Sequence, residues 1–318
     1  MLYNMRIFAI IFYGDNMIGN SQIKGHLAGL TAYAIFGFNV VICKQISDFA
    51  LLSPMALFTI RAIGATLLFW LASLFMPAEK VDKGDFWKIA VASMLGLFVP
   101  QVTFLVAIGM TTSLDASILS SLSPIFTMLL ATVVLHEPLT GKKISGVVLS
   151  FVGVIFLLYN SVRLTEGAAV TTPMGIVLML LNSISFSSYL GIFRPLISKY
   201  SVTTFMKWMF LFSMIIALPL GGYEAVTFHY LEAPTDYLLR LLFLILCATF
   251  ISYFLIPVAQ QSLRPTVVSL YSYIQPITAC VLTIYYGMDT FNMPKAIAIT
   301  TIFIGVMLVN KSKAAANK

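Results

Sequence analysis

Residues 117–153 read SILSSLSPIFTMLLATVVLHEPLTGKKISGVVLSFVG, and residues 269–305 read SLYSYIQPITACVLTIYYGMDTFNMPKAIAITTIFIG. Laid over each other at an offset of 152, with no gap, Ser117 meets Ser269 and Pro124 meets Pro276. Glu137 meets Asp289, Gly146 meets Ala298, and Gly153 meets Gly305. Each stretch is an apolar run interrupted by proline, then a polar connector, then a second apolar run carrying small residues. Any one match is weak, but five in one frame point to a duplicated unit. The frame divides the chain into halves at about 23–160 and 172–311. It leaves an N-terminal segment, 1–22, and a tail, 312–318.

Working outward from that pair, ten apolar runs reach the roughly 20 residues a spanning helix needs. They lie near 25–46, 53–76, 86–109, 113–135, 141–159, 173–197, 202–221, 236–258, 266–287 and 293–310. The expected fold is all-α, with ten transmembrane helices. Five per half is odd, so the second half enters the membrane from the opposite side. The ten helices then form two inverted five-helix repeats, an arrangement that places a substrate site at the repeat interface.

Composition demands the bilayer independently. Of 318 residues, 59% are hydrophobic and 10% charged, against about 25% charged in soluble domains. Mean hydropathy is +0.95. A water-soluble fold of this length cannot hide so much apolar surface. The net charge of +7 does not imply nucleic acid, because the basic residues sit in short connectors between apolar runs. With the N-terminus placed in the cytoplasm, 14 lysines and arginines fall on the cytoplasmic side and 4 on the far side. That bias puts both termini inside. Arg61 is left within a run. Cys43, Cys247 and Cys280 lie in apolar runs without ligand spacing and read as small hydrophobes. No cleavable leader is evident, and either Met1 or Met17 fits as the start.

Arg61 is the one charged residue well inside a run. Such a residue faces the bundle interior and needs a partner. That partner is an anionic group of a substrate, a switching carboxylate, or a structural pair with Asp115 or helix-end carbonyls. Asp115, at the start of the fourth run, is the carboxylate nearest the membrane interior. It is the candidate for coupling to an ion such as a proton, and equally a helix cap beside Thr112 and Ser113. Uncharged polar residues cluster near prolines, where freed carbonyls can line a cavity. The set expected to bind substrate is Asn39, Arg61, Gln101, Ser121, Asn182, Ser185, Tyr189, Tyr253, Tyr271, Tyr273 and Gln275. For the serines, close helix packing is the competing explanation. Pro124, Pro276 and Glu137 carry a structural or gating role. Glu137-Pro138-Leu139-Thr140 is a connector in which Pro138 stops one helix and Thr140 caps the next. Gly25 and Gly29 form a GxxxG packing face.

Catalytic signatures do not appear. His136-Glu137 is not followed by the second histidine of HExxH, and no phosphate-binding GxxxxGK[ST] occurs. No cofactor or metal is expected.

The two halves together resemble the EamA-type transporters of the drug/metabolite transporter superfamily over nearly the whole chain after residue 20. The resemblance rests on Ser123-Pro124-Ile125-Phe126-Thr127 through Leu135-His136-Glu137-Pro138-Leu139-Thr140, then Gly146 and Gly153-Val154, with Arg61 also matching. In the second half Pro276 and Gly305 fit, while Asp289-Thr290 replaces Glu-Pro. The resemblance implies an exporter or exchanger of small metabolites, amino-acid-like or otherwise amphipathic, in a bacterial inner membrane. It names no cargo. Alternating access around a pocket lined by runs one, three, four, six, eight and nine is the expected mechanism. The alternatives are an integral-membrane enzyme acting on a lipid or sugar donor, and a structural membrane subunit. The sequence assigns no coupling ion, direction of transport or oligomeric state.

Overall fold

The computed structural model describes residues 18–134, 140–163, 171–288 and 292–310. Glu137, Asp289, Met1 and Met17 lie outside the described residues. Those described are predominantly helical, with no strand. Hydroxyl caps start four of the helices. Ser53 accepts from Ala56 N, Thr112 from Asp115 N, Thr172 from Gly175 N and Ser201 from Thr204 N. Pro54 and Pro173 follow two of these caps, at the position where a missing N–H costs nothing.

In chain order, α1 is Ile18–Phe49 and α2 is Pro54–Ser73. Next come α3 (Phe86–Ser93), a π-turn (Met94–Phe98) and α4 (Val99–Ile108), which run on as one rod. Then follow α5 (Ser113–Ser120), α6 (Ser123–Val134) and α7 (Gly141–Arg163). The second half has α8 (Pro173–Ile192), the short α9 (Arg194–Lys199) and α10 (Val202–Thr227). After these, α11 (Thr235–Phe243) continues through a π-segment (Leu244–Ile251) into α12 (Ser252–Ser262). Last are α13 (Pro265–Leu270), a 3-10 turn (Tyr271–Tyr273), α14 (Ile274–Tyr285) and α15 (Met293–Asn310).

Among the described residues, eight helical runs are long and apolar enough to cross a membrane. The fifth and tenth expected spans correspond to α7 and α15, whose apolar stretches, Ile144–Gly153 and Ala296–Gly305, are shorter. Large apolar side chains such as Leu67, Leu74, Phe75, Ile155 and Met307 point outward, which suits lipid rather than water.

The fourth and ninth helices, expected to be broken by proline, are each interrupted in the middle. The cause is Pro124 and Pro276, which have no N–H to donate four residues back. The carbonyl left over at Ser120 accepts from Ser123 Oγ at 2.8 Å. Likewise the Ser123 carbonyl accepts from Thr127 Oγ1 and Ser187 Oγ, both at 2.9 Å. Much of the serine density of this region therefore repairs broken backbone.

Two helix pairs hold the bundle along their lengths: α2 with α10, and α7 with α15. In the second pair the backbones approach so closely that a Cβ on Gly153 would stand 2.7 Å from Ile302 Cγ1. One on Gly305 would stand 2.5 Å from the Gly146 carbonyl oxygen. Ser150 Oγ donates to the Ile302 carbonyl at 3.3 Å, across the contact.

Candidate functional site

A cavity of about 70 Å³ opens between the halves. Helix α1 presents Tyr33, Phe36 and Asn39 to it, three residues at helical spacing on one face. Arg61 comes from α2, and Gln101 and Phe104 from α4. Ser120 and Ser123 flank the proline break, and Asn182 and Phe186 come from α8. Tyr253 of α12 and Gln275 of α14 complete the wall.

One side of the cavity is polar and underused. Arg61 is 2% exposed. Its Nε donates to Thr249 Oγ1 at 2.8 Å, and its Nη1 donates to Cys43 Sγ at 3.8 Å, a weak acceptor. Among the described residues no carboxylate lies within ion-pair distance of it. The expected alternative of a pair with Asp115 is therefore not formed. The Cys43 thiol in turn donates to Asn39 Oδ1 at 3.4 Å. Gln101 is buried, and its amide makes no hydrogen bond of good geometry, with the Tyr253 hydroxyl as its nearest polar neighbour. The Tyr33 hydroxyl is buried and unpartnered. Unmade hydrogen bonds at buried polar atoms cost free energy, so three such atoms, on Gln101 and Tyr33, stand out around one cavity.

The other side is aromatic. Phe36 meets the Tyr253 ring edge-on at 5.6 Å between centroids, and Phe186 and Phe210 do so at 6.4 and 5.8 Å. These contacts fix the Tyr253 ring.

Of the residues expected to bind substrate, Asn39, Arg61, Gln101, Asn182, Tyr253 and Gln275 come together here. Asn182 Nδ2 also donates to the Pro100 carbonyl at 2.6 Å. Five others lie elsewhere. Ser121 Oγ donates to the Ile118 carbonyl and Ser185 Oγ to the Leu95 carbonyl. The Tyr189 ring packs against Gly96, in the π-turn. Tyr271 packs on Gly29, with its hydroxyl 2.5 Å from His26 Nδ1. Tyr273 stacks obliquely on Phe303. Asp115, fully buried, sits outside the cavity lining and accepts from Thr171 Oγ1 at 2.5 Å. It occupies the first turn of α5, which Thr112 caps.

Tyr33, Phe36, Phe104 and Phe186 were not among the expected site residues. Helical spacing around the polar residues was the signal for them: Phe36 three before Asn39, Phe104 three after Gln101, Phe186 four after Asn182.

Away from the cavity, two clasps join the halves at opposite ends of the α2–α10 pair. Glu224, near the end of α10, accepts from Ser53 N at 2.7 Å and Ser53 Oγ at 2.5 Å, at the start of α2. Glu79, beyond the end of α2, accepts from Ser201 N at 3.0 Å and Ser201 Oγ at 2.7 Å, at the start of α10. The second clasp has a charged neighbour. Lys199 binds Asp82 and Asp85 at 2.6 and 2.5 Å, Lys88 binds Asp85 at 2.7 Å, and the Tyr200 hydroxyl donates to Asp85 at 2.8 Å.

These features find relatives among known proteins. The model of the EamA-like transporter family matches residues 23–159 and again residues 173–311. The chain belongs to that family, and it is a multi-pass membrane transporter of a small molecule rather than an enzyme. It is 23% identical over 309 residues to the uncharacterized transporter YetK of Bacillus subtilis (strain 168), covering 95% of this chain and 92% of that one. It is 21% identical to the uncharacterized inner membrane transporter YicL of Salmonella typhimurium (strain LT2), covering 91% and 96%. A solved structure titled only as the crystal structure of a protein superposes with a TM-score of 0.63 at 15% identity. It covers 89% of this chain and 95% of that one, a likeness of fold.

Proposed function

We propose that this protein is a secondary transporter that exports a small amphipathic or zwitterionic metabolite across a bacterial inner membrane by alternating access. The observation that carries the reading is the cavity itself. It draws polar and aromatic side chains from both halves, around Arg61. In this proposal ten helices form two inverted repeats, the termini face the cytoplasm, and the lysine-rich face bearing Lys88 and Lys199 is cytoplasmic.

The interruptions support the reading. The third and eighth runs each contain a π-segment, and the fourth and ninth each break beside a proline. All four supply cavity residues. The α2–α10 pair is clasped at both ends and serves as the frame. The interrupted helices are the moving parts, since irregular helix positions absorb backbone change. A proton is the coupling ion to test, with Asp115 the acidic group to replace.

Flux of candidate amino acids in proteoliposomes tests the function. Replacing Asn39, Gln101, Tyr253 and Gln275 together should abolish it. Undiminished flux in that variant would remove the cavity from the pathway.

A further inference from the structure

We infer that the transported solute is an organic monoanion: a carboxylate that docks on Arg61, with an apolar body lying against the Tyr253 ring. The inference deepens the proposed function and rests on the same cavity.

Donors outnumber acceptors at the polar end. A guanidinium carries five N–H groups and no acceptor. Arg61 uses one on a hydroxyl and one on a sulfur, which leaves donors for a planar, two-oxygen acceptor, the geometry a carboxylate matches. The buried, unpartnered Tyr33 hydroxyl and the Gln101 amide, which has only the Tyr253 hydroxyl beside it, border the same space. Each can donate to a carboxylate oxygen, and the Gln101 carbonyl oxygen remains for a donor elsewhere on the solute.

Charge sets the valence. Among the described residues the lining has one cation and no carboxylate, so a monoanion brings the loaded site to neutrality. A cation would add a second positive charge, and a phosphate dianion would leave a negative one. In a low-dielectric interior a residual charge is costly. The aromatic part of the wall, Phe36, Phe104, Phe186 and Tyr253, selects an apolar or aromatic remainder. Asn39, Ser120, Ser123, Asn182 and Gln275 add uncharged polar groups beside it.

The test uses the full-length protein in proteoliposomes loaded with radiolabelled 3-phenylpropanoate. Counterflow is competed by four compounds with a phenyl ring on a short chain and different head groups: 3-phenylpropanoate, its amide, 3-phenylpropylamine and 2-phenylethyl phosphate. The carboxylate should compete best. The amide should be about tenfold to a hundredfold weaker, the loss expected when a hydrogen bond to a charged group is removed. The amine and the phosphate should be weaker than the carboxylate. Arg61→Met should erase the preference of acid over amide, and Arg61→Lys should retain part of it. Size-exclusion profiles establish that both variants fold. If Arg61→Met does not fold, the comparison with Arg61→Lys and with Gln101→Leu decides, because loss of the Gln101 donor should weaken the acid more than the amine. Equal competition by acid, amide and amine would overturn the inference while leaving transport intact. So would a phosphate that competes better than the carboxylate. Should labelled 3-phenylpropanoate not exchange while phenylalanine or phenylpropylamine does, the monoanion assignment falls and the transporter stands. Exchange of none of these overturns the cavity's assigned role together with it.

Discussion

The two clasps between α2 and α10 use the same chemistry and differ in their surroundings. In each, a carboxylate from one half closes on the serine N-cap of a helix in the other. Ser53 and Glu224 are partly buried and have no cation in the clasp. The hydrogen bonds between Ser201 and Glu79 are exposed, and the Lys199 cluster flanks them. Where water competes, the contact is reinforced by ion pairs. Where it is shielded, two hydrogen bonds to a charged acceptor suffice. The exposed end thus depends on a network and the shielded end on a single residue.

That difference can be broken. The largest effect is expected from Asp85→Ala. It removes the acceptor shared by Lys199, Lys88 and Tyr200, and should lower the melting temperature in detergent more than any change at Glu79. Next comes Glu224→Gln, which removes charge from two partly buried hydrogen bonds and should cost about 2 kcal/mol, read as loss of thermal stability. Glu79→Gln, being exposed, should cost less than about 1 kcal/mol. A Glu79 variant that destabilises more than the Glu224 variant would reverse the comparison.

Solution conditions sharpen it further. Bonds to Asp82, Asp85 and Tyr200 hold the Lys199 ammonium above its usual pKa. A raised folded-state pKa means that this stabilisation is fully present below the ordinary lysine value. It is lost as pH climbs from about 10.4 upward. The Glu224→Gln cost should therefore persist in alkaline buffer, while the Asp85→Ala cost shrinks. The smallest effect expected is from salt. Raising ionic strength should weaken the exposed cluster and leave the Ser53 clasp nearly unchanged, as scored by melting temperature of the two variants.

Hydropathy and charge made the class of fold legible, because a bilayer imposes length and polarity on every crossing. Arg61 was legible for the same reason: a charge in an apolar run must be inside and used. Six of the expected site residues line the cavity, and each is a polar group with few local alternatives. The serines misled because hydroxyls can return to their own helix backbone, as Ser121 does, and nothing in the sequence distinguishes that from facing a ligand. Tyr271 and Tyr273 share a run with Gln275, but the turn before Pro276 sends their rings to Gly29 and Phe303 instead. The π-segments were invisible, since a one-residue slip in hydrogen bonding leaves hydropathy unaltered. Glu79 and Glu224 looked like ordinary connector charges, and their role depends on which connectors meet in space.

Those two glutamates carry one more consequence. The first half owns a cap, Ser53, and a carboxylate, Glu79; the second owns Ser201 and Glu224. Each half is thus self-complementary: it holds both members of the fastening, one at either end of the same helix or just beyond it. The full chain shares out between its two parts a fastening whose two kinds of member, a serine cap and a glutamate, each part holds.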